Sequence, residues 1–165
     1  MTPTAMRPKM QNYGVPPEQD GMIAWSWVDA RMRDAHNYWI ASTRPDGRPH
    51  AAPVWGFWID GALYFGSDPA SRKAKNIALN PYIVVHLESG AEAVMLEGRA
   101  VITDMSESLS VLETMVEQSK AKYPAEVPTV DDLKKNPLFR FTPQIGFAWK
   151  ETEFPHSVTK FVFGG

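Results

Sequence analysis

Residues 62–87, ALYFGSDPASRKAKNIALNPYIVVHL, constrain this chain more than any other stretch. Ala62 to Ser67 is a β-favouring run, and Asp68-Pro69 stops it. Ser71 is placed to cap a helix whose first turns carry Arg72, Lys73 and Lys75, with Ala74, Ile77 and Ala78 as its apolar face. Asn80-Pro81 ends that helix, because the residue before a proline avoids the α region. Tyr82 to Leu87 then reads as a buried strand. A helix N-terminus combines free amides with a favourable dipole, so hydroxyls and cations gathered there suit a phosphate. The competing reading is a solvated basic helix face, and the strand-turn-helix setting argues against it.

Elsewhere, punctuation by proline and glycine sets the strands. The first 20 residues hold Pro3, Pro8, Pro16 and Pro17 with few apolar side chains, and read as an irregular arm before a single domain over 21–165. From Gly21 to Asn37, Ile23, Trp25, Val28, Met32 and Ala35 fit one face of an amphipathic helix. Tyr38 to Thr43 is a strand, Pro45-Asp46-Gly47 a turn, and Pro49 to Asp60 the returning strand, interrupted at Pro53 and Gly56. Asp60-Gly61 is a two-residue hairpin turn into the organising stretch. Glu92 to Thr103 is a long strand with Gly98 as a candidate bulge. Asp104 and Glu107 form a capping box for a helix to about Lys122, with Leu109, Leu112, Met115 and Val116 inward. A Pro-rich connection with a short helix near Val130 to Lys135 leads to strands at Gln144 to Trp149 and Val158 to Phe163. Six or seven hairpin-linked strands and a few helices predict a mainly β fold, an antiparallel split barrel with peripheral helices.

Bulk properties exclude several functions. A net charge of −2 over 165 residues gives no basis for nucleic-acid or acidic-membrane binding. There is no cysteine, hence no disulfide, thiolate metal site or cysteine nucleophile. No apolar run reaches membrane-spanning or signal-peptide length, so a soluble cytoplasmic protein is expected. His36, His50, His86 and His156 lack zinc-type spacing. His86 reads as a core or interface residue, and His50, on the strand after the turn, as a residue that could touch substrate but more often would not. No GxSxG, Walker loop or GxGxxG occurs. Glu88, Glu92 and Glu97 read as solvated. Trp55, Phe57 and Trp58, close together on one strand, should alternate between faces and leave one aromatic face needing a partner.

The order of parts, the hairpin across Pro45 to Pro49 and the motif Ser71-Arg72-Lys73-Ala74 followed by Asn80-Pro81 resemble the pyridoxamine-5′-phosphate-oxidase-like split β-barrel superfamily. Within it, the chain is most similar to the flavin/deazaflavin oxidoreductases. The likeness covers roughly Trp25 to Thr103, with a looser echo in Phe147 to Phe163. By that resemblance, Arg72 and Lys73 grip a cofactor phosphate, Ser71 assists, and Gly66 and Ser67 approach it. Ala52, Pro53, Val54 and Trp55, with the strand running on to Phe57, lie against an isoalloxazine-type ring. Lys75 and Asn76 match positions where relatives often carry a further cation and an asparagine.

Departures from the pattern bear on the reaction. Pyridoxamine-phosphate oxidases carry an arginine and a lysine where this chain has Ala52 and Phe57, and their C-terminal pair of arginines with a tryptophan is missing from Ser157 to Gly165. The resemblance therefore implies the fold and the phosphate site without pyridoxal-phosphate synthesis. No side chain stands out as a general acid or base, which fits chemistry carried by a cofactor ring. The cofactor implied is F420 or FMN. The cations Lys73, Lys75, Arg44 and Arg48 favour F420, whose tail is polyanionic. The expected function is an oxidoreductase, homodimeric, with the cofactor at the subunit interface and a small-molecule substrate. The alternative is a non-catalytic carrier of flavin, deazaflavin or haem, with His50 and His156 as the histidines to watch for haem.

Overall fold

Strand pairing explains the architecture. The computed structural model describes residues 2–103, 109–135 and 137–164, and not the side chain of Gln11. In chain order the elements are β1 (Thr4–Met6), α1 (Trp25–Asp34), β2 (Tyr38–Thr43), β3 (Pro49–Val54), β4 (Phe57–Ile59), β5 (Ala62–Gly66) and α2 (Arg72–Leu79). After these come β6 (Tyr82–His86), β7 (Glu92–Ile102), α3 (Leu109–Lys122), α4 (Val130–Leu133), β8 (Leu138–Lys150) and β9 (Thr159–Val162). All pairings are antiparallel, in the order β1-β9-β8-β7-β6-β2-β3, with β5 on β8 and β4 on β5.

The split lies along β8. Its whole length pairs with β7, but its other edge holds β5 over Leu138 to Phe141 and β9 over Ile145 to Ala148. The change of partner coincides with a β-bulge, where Glu97 faces Ile145 but Gly98 faces Pro143. Glycine is required there, since an added Cβ on Gly98 would stand 2.2 Å from the Thr142 carbonyl oxygen.

Among the described residues nine strands form where six or seven were expected, for two reasons. The expected strand Pro49 to Asp60 breaks at Trp55-Gly56 into β3 and β4, and the arm contributes β1. That arm is less irregular than its prolines imply. Arg7 donates to the carbonyls of Glu18 (2.6 Å), Asp20 (2.6 Å), His156 (2.7 Å) and Val158 (2.7 Å), tying both ends of the arm to the connection after β8. The strand expected from Gln144 begins six residues earlier, at Leu138, because β5 provides a partner there.

Two apolar clusters divide the interior. Val28 and Met32 of α1 join Tyr38, Ile40, Leu63, Phe65, Val85, Leu96, Phe141 and Phe161 inside the barrel. Leu112 and Met115 of α3 cover the outer side of β4 and β5, meeting Phe57, Ile59, Ala62 and Tyr64. As a result β4 is buried on both faces, Trp58 inward and Phe57 under α3. The expected unpartnered aromatic face is thus filled by the chain itself, and of the three rings only Trp55 is exposed.

Other expectations shift by a residue or a turn. α1 starts at Trp25, and Ile23 is buried ahead of it. Leu109 is exposed, while Leu112 and Met115 carry the packing of α3. β6 alternates buried and open positions, with Tyr82 exposed. The capping box expected at Asp104 and Glu107 lies outside the described residues.

Candidate cofactor-binding cleft

The sequence motif folds locally as its chemistry requires. Ser71 has extended backbone dihedrals, caps α2 and accepts from the Ala74 amide at 3.2 Å. Its hydroxyl also lies 2.8 Å from that of Ser67, at the end of β5. The Asp68 side chain accepts from the Ala70 amide at 2.7 Å, and its carbonyl accepts from the Ser71 amide at 2.9 Å. The turn therefore closes on itself and presents two linked hydroxyls at the first turn of a helix. Arg72 and Lys75 are exposed and Lys73 half-buried, and none of them joins a salt bridge found among the described residues. Unpaired cations beside a helix N-terminus are a fit donor set for a phosphate.

Beneath this turn runs a cleft of about 490 Å³. Its near wall is Pro53, Val54 and Trp55 of the β3 edge, Gly66 and Ser67 of β5, Asp68, and Lys73 of α2. An added Cβ on Gly66 would meet nothing, so the backbone there stands open. Of the residues expected at the site, Pro53, Val54, Trp55, Gly66, Ser67 and Lys73 come together here. Ser71 reaches the cleft only through Ser67. Ala52, Arg72 and Lys75 stand outside its lining. Asn76 is also elsewhere: fully buried on α2, it replaces Ala78 on the packed face and donates to the Ser42 hydroxyl at 3.0 Å.

The far wall was anticipated only at Phe57. Phe57, Met115, Tyr123, Glu126, Pro128, Asp132, Leu133 and Leu138 supply it, mostly from α3 and the connection that follows. Tyr123 stacks on Trp55 with ring centroids 4.4 Å apart and planes 13° apart. Burial pushes the Tyr123 phenol up, so it remains a protonated donor at neutral pH. Asp132 is held well below the usual carboxylate range by the side chains of Lys135 and Thr129. The lining thus joins the Lys73 ammonium and the Ser67 hydroxyl to an apolar and aromatic stretch, and it also carries the carboxylates of Asp68, Glu126 and Asp132.

The other cations do not join it. Arg44 and Arg48 flank the turn at the opposite end of β3, with Arg48 about 20 Å from Val54 at roughly 3.3 Å per residue. Arg48 there binds Asp46 through two nitrogens, at 3.0 and 2.7 Å, an attachment that lowers the Asp46 carboxyl.

His50, half-buried opposite Ser42, does not line the cleft, and His156 lies exposed in the β8–β9 connection. His86 stacks on Trp39 and contacts the Leu87 carbonyl at 2.9 Å, a structural role. Glu92 is drawn into a bidentate pair with Arg31, whose hydrogen bonds hold its carboxyl low. Among the described residues no group of three or more potential metal ligands occurs, and no helix is long and apolar enough to cross a membrane.

Known structures share this architecture. The conserved hypothetical protein Rv2991 of Mycobacterium tuberculosis is 22% identical, with 90% of this chain and 96% of that one aligned at a TM-score of 0.67. An F420 reductase is 17% identical over 72% of this chain and 94% of its own, with a TM-score of 0.54. HutZ, the heme storage protein of Vibrio cholerae, is 14% identical over 72% and 89%, with a TM-score of 0.57. Among curated proteins no sequence matches significantly. The family model described as pyridoxamine 5′-phosphate oxidase matches residues 28–150, from α1 through the whole of β8 and across every element that builds the cleft. This chain belongs to the pyridoxamine 5′-phosphate oxidase family and has its split β-barrel fold.

Proposed function

We propose that this protein is an oxidoreductase that binds a phosphate-bearing deazaflavin or flavin, F420 or FMN, and passes hydride to a small organic substrate. One observation carries the reading. The open backbone at Gly66, the Ser67 hydroxyl and Lys73 share a single cleft with the Pro53–Trp55 edge, so a phosphate end and a ring-sized apolar wall are continuous. Lys73 and Arg72 would neutralise the phosphate, and Ser67 would donate to it, with Ser71 fixing the Ser67 rotamer. Val54, Phe57 and Leu138 exclude water from the ring-sized part, and the Trp55–Tyr123 stack closes one side. The bound ring supplies the hydride chemistry, while the chain supplies position and a dry surface. The likeness in fold to an F420 reductase agrees with this. Ala52 and Phe57, standing where pyridoxamine-phosphate oxidases carry charged residues, argue against that particular reaction.

Self-association belongs to the same proposal. With Phe57 and Trp58 covered, the surface to be shared is the outer face of β6 and β7, where Tyr82 and Val101 are 59% and 39% exposed. Light scattering at micromolar concentration should give the mass of a dimer; a monomer with and without cofactor contradicts it.

The deciding experiment offers FMN, F420 and haem separately to the purified protein and follows the absorption spectrum, then single-turnover reduction of an acceptor. A charge-assisted contact contributes about 1.5–3 kcal/mol, so Lys73→Ala should weaken binding by roughly tenfold or more. Unchanged affinity in the Arg72→Ala, Lys73→Ala double variant would remove the cofactor reading. Binding without turnover would make the protein a carrier.

A further inference from the structure

Where β3 gives way to β4 the backbone leaves its strand partners, and Gly56 becomes a buried residue with a main-chain donor and acceptor to satisfy. Its surroundings admit no side chain, since a Cβ would stand 2.9 Å from Leu63 Cδ1 and 3.0 Å from the Tyr64 carbonyl oxygen. Lys122 and Tyr123, at the end of α3, satisfy both groups. The Tyr123 hydroxyl accepts from the Gly56 amide at 3.0 Å and has one proton to give, to the His36 carbonyl (2.8 Å) or the Gly56 carbonyl (3.2 Å). Lys122 Nζ donates to the Gly56 carbonyl at 3.0 Å and to the Tyr38 hydroxyl at 2.9 Å. The ammonium lies 4.9 Å from the Tyr38 ring and 5.8 Å from each of the Phe57 and Tyr123 rings. On its opposite side, Tyr123 carries the stacked Trp55.

We propose that the Lys122–Tyr123 pair is the positioning element of the cleft: by holding both main-chain groups of Gly56 and backing Trp55, it sets where Pro53, Val54 and Trp55 stand against a bound cofactor. The inference rests on the cofactor reading above. The role assigned is positioning, not catalysis: Lys122 acts through Gly56, and Tyr123, which also lines the cleft, acts through Gly56 and Trp55.

Protonation of Lys122 links this element to pH. Burial pulls its ammonium down to about 8. The titratable and charged groups facing it are Tyr38 of β2, Tyr123 beside it, and Asp34 of α1, with Arg33 and His36 in the cavity it shares with Gln118. Because the folded value lies below the ordinary 10.5, the unfolded chain holds more protons between the two, and this group's contribution to stability rises with pH across that window. Cofactor binding should run the other way, since loss of charge weakens the bond to Gly56 that holds the cleft wall.

The test compares wild type with Tyr123→Phe, Lys122→Met and Lys122→Arg. Hydrogen exchange of the peptide containing Gly56 needs no cofactor; FMN and F420 titrations are run on either side of pH 8. Tyr123→Phe should speed exchange at Gly56 and weaken cofactor binding, each by about tenfold, for the loss of a buried hydrogen bond. Wild-type affinity should fall as pH rises through 8, Lys122→Met should be weak and flat, and Lys122→Arg should stay tight at low pH and flat. A purely structural lysine would leave that profile unchanged between variants. Unaltered exchange and affinity in Tyr123→Phe, or a fall through pH 8 that persists in Lys122→Met, overturns the proposal. If wild type binds neither cofactor, the cofactor reading fails, and exchange at Gly56 alone decides whether the pair holds the break.

Discussion

Ser71 has two separable duties, and replacing it divides them. Its hydroxyl caps α2 by accepting from the Ala74 amide at 3.2 Å, and it holds the Ser67 hydroxyl at 2.8 Å. Ser71→Ala removes both. Loss of an N-cap costs about 1 kcal/mol and loss of the second hydrogen bond about 0.5–1.5 kcal/mol. At roughly 2–4 °C per kcal/mol for a chain of this size, Tm should fall by about 3–10 °C. Ser71→Asp behaves differently. Aspartate is as good an N-cap as serine, and its charge gains about 0.3–1 kcal/mol from the helix dipole. The apo protein should therefore melt at or near the wild-type temperature. Toward a phosphate the same carboxylate is a like charge. At ~6 Å and an effective dielectric of ~40 one such pair costs about 1.4 kcal/mol, or tenfold in affinity, and a dianion costs more. Thermal denaturation without ligand and titration with FMN or F420 should thus rank the variants in opposite orders, Ser71→Ala less stable and Ser71→Asp the weaker binder. Wild-type affinity in Ser71→Asp would refute placing the phosphate at the first turn of α2.

The other predictions concern the arm and the choice of cofactor. Arg7→Ala should lower Tm by about 3–12 °C, since the bond to the Val158 carbonyl, partly out of solvent, is worth about 1.5–3 kcal/mol and the three exposed ones less; limited proteolysis should then cut first within residues 1–20, and a wild-type digestion pattern would show the staple to be unimportant. Lys75→Ala should weaken F420 by roughly threefold or more and FMN by less, with F420 affinity falling more steeply in salt because more ionic contacts are screened. Parallel salt dependence of the two cofactors, with equal effects of Lys75→Ala, would remove the preference for F420.

Where the fold was legible, the signal was local. The cap at Ser71, the stop at Asn80-Pro81, the bulge at Gly98 and the break near Gly56 all appear in the structure, because each is decided by one or two residues and their backbone limits. Burial depended on partners far along the chain, and there the sequence misled. Ala78 looks like the packed residue of α2, yet Asn76 is buried because Ser42, across on β2, gives its amide a partner. Phe57 and Trp58 alternate as a strand should, but the outer face is covered by α3, which no pattern inside β4 announces. Arg7 sits among prolines that signal irregularity, and the carbonyls that order it come partly from residues 156 and 158.

The site divides along the same line. Its near wall comes from residues 53–55, 66–68 and 73, close in sequence and joined by a hairpin and a single turn, so a motif could reveal it. Apart from Phe57, its far wall comes from a helix and connection between residues 115 and 138, brought back by tertiary packing, and Tyr123 falls in a Pro-rich stretch with no motif to mark it. Proximity in sequence was also deceptive for the cations. Arg44 and Arg48 precede the cleft-lining residues by only a few positions, but one extended strand carries them about 20 Å away, and Arg48 is engaged by Asp46. In the proposed reading, the cations left to meet a polyanionic tail at the phosphate end are Arg72 and Lys75, exposed on α2. Discrimination between a tailed and an untailed cofactor then falls on one exposed helix turn. Charges so exposed are strongly screened, so the preference for F420 should be modest in size and sensitive to salt, whereas the shared phosphate contact at half-buried Lys73 should be much less so.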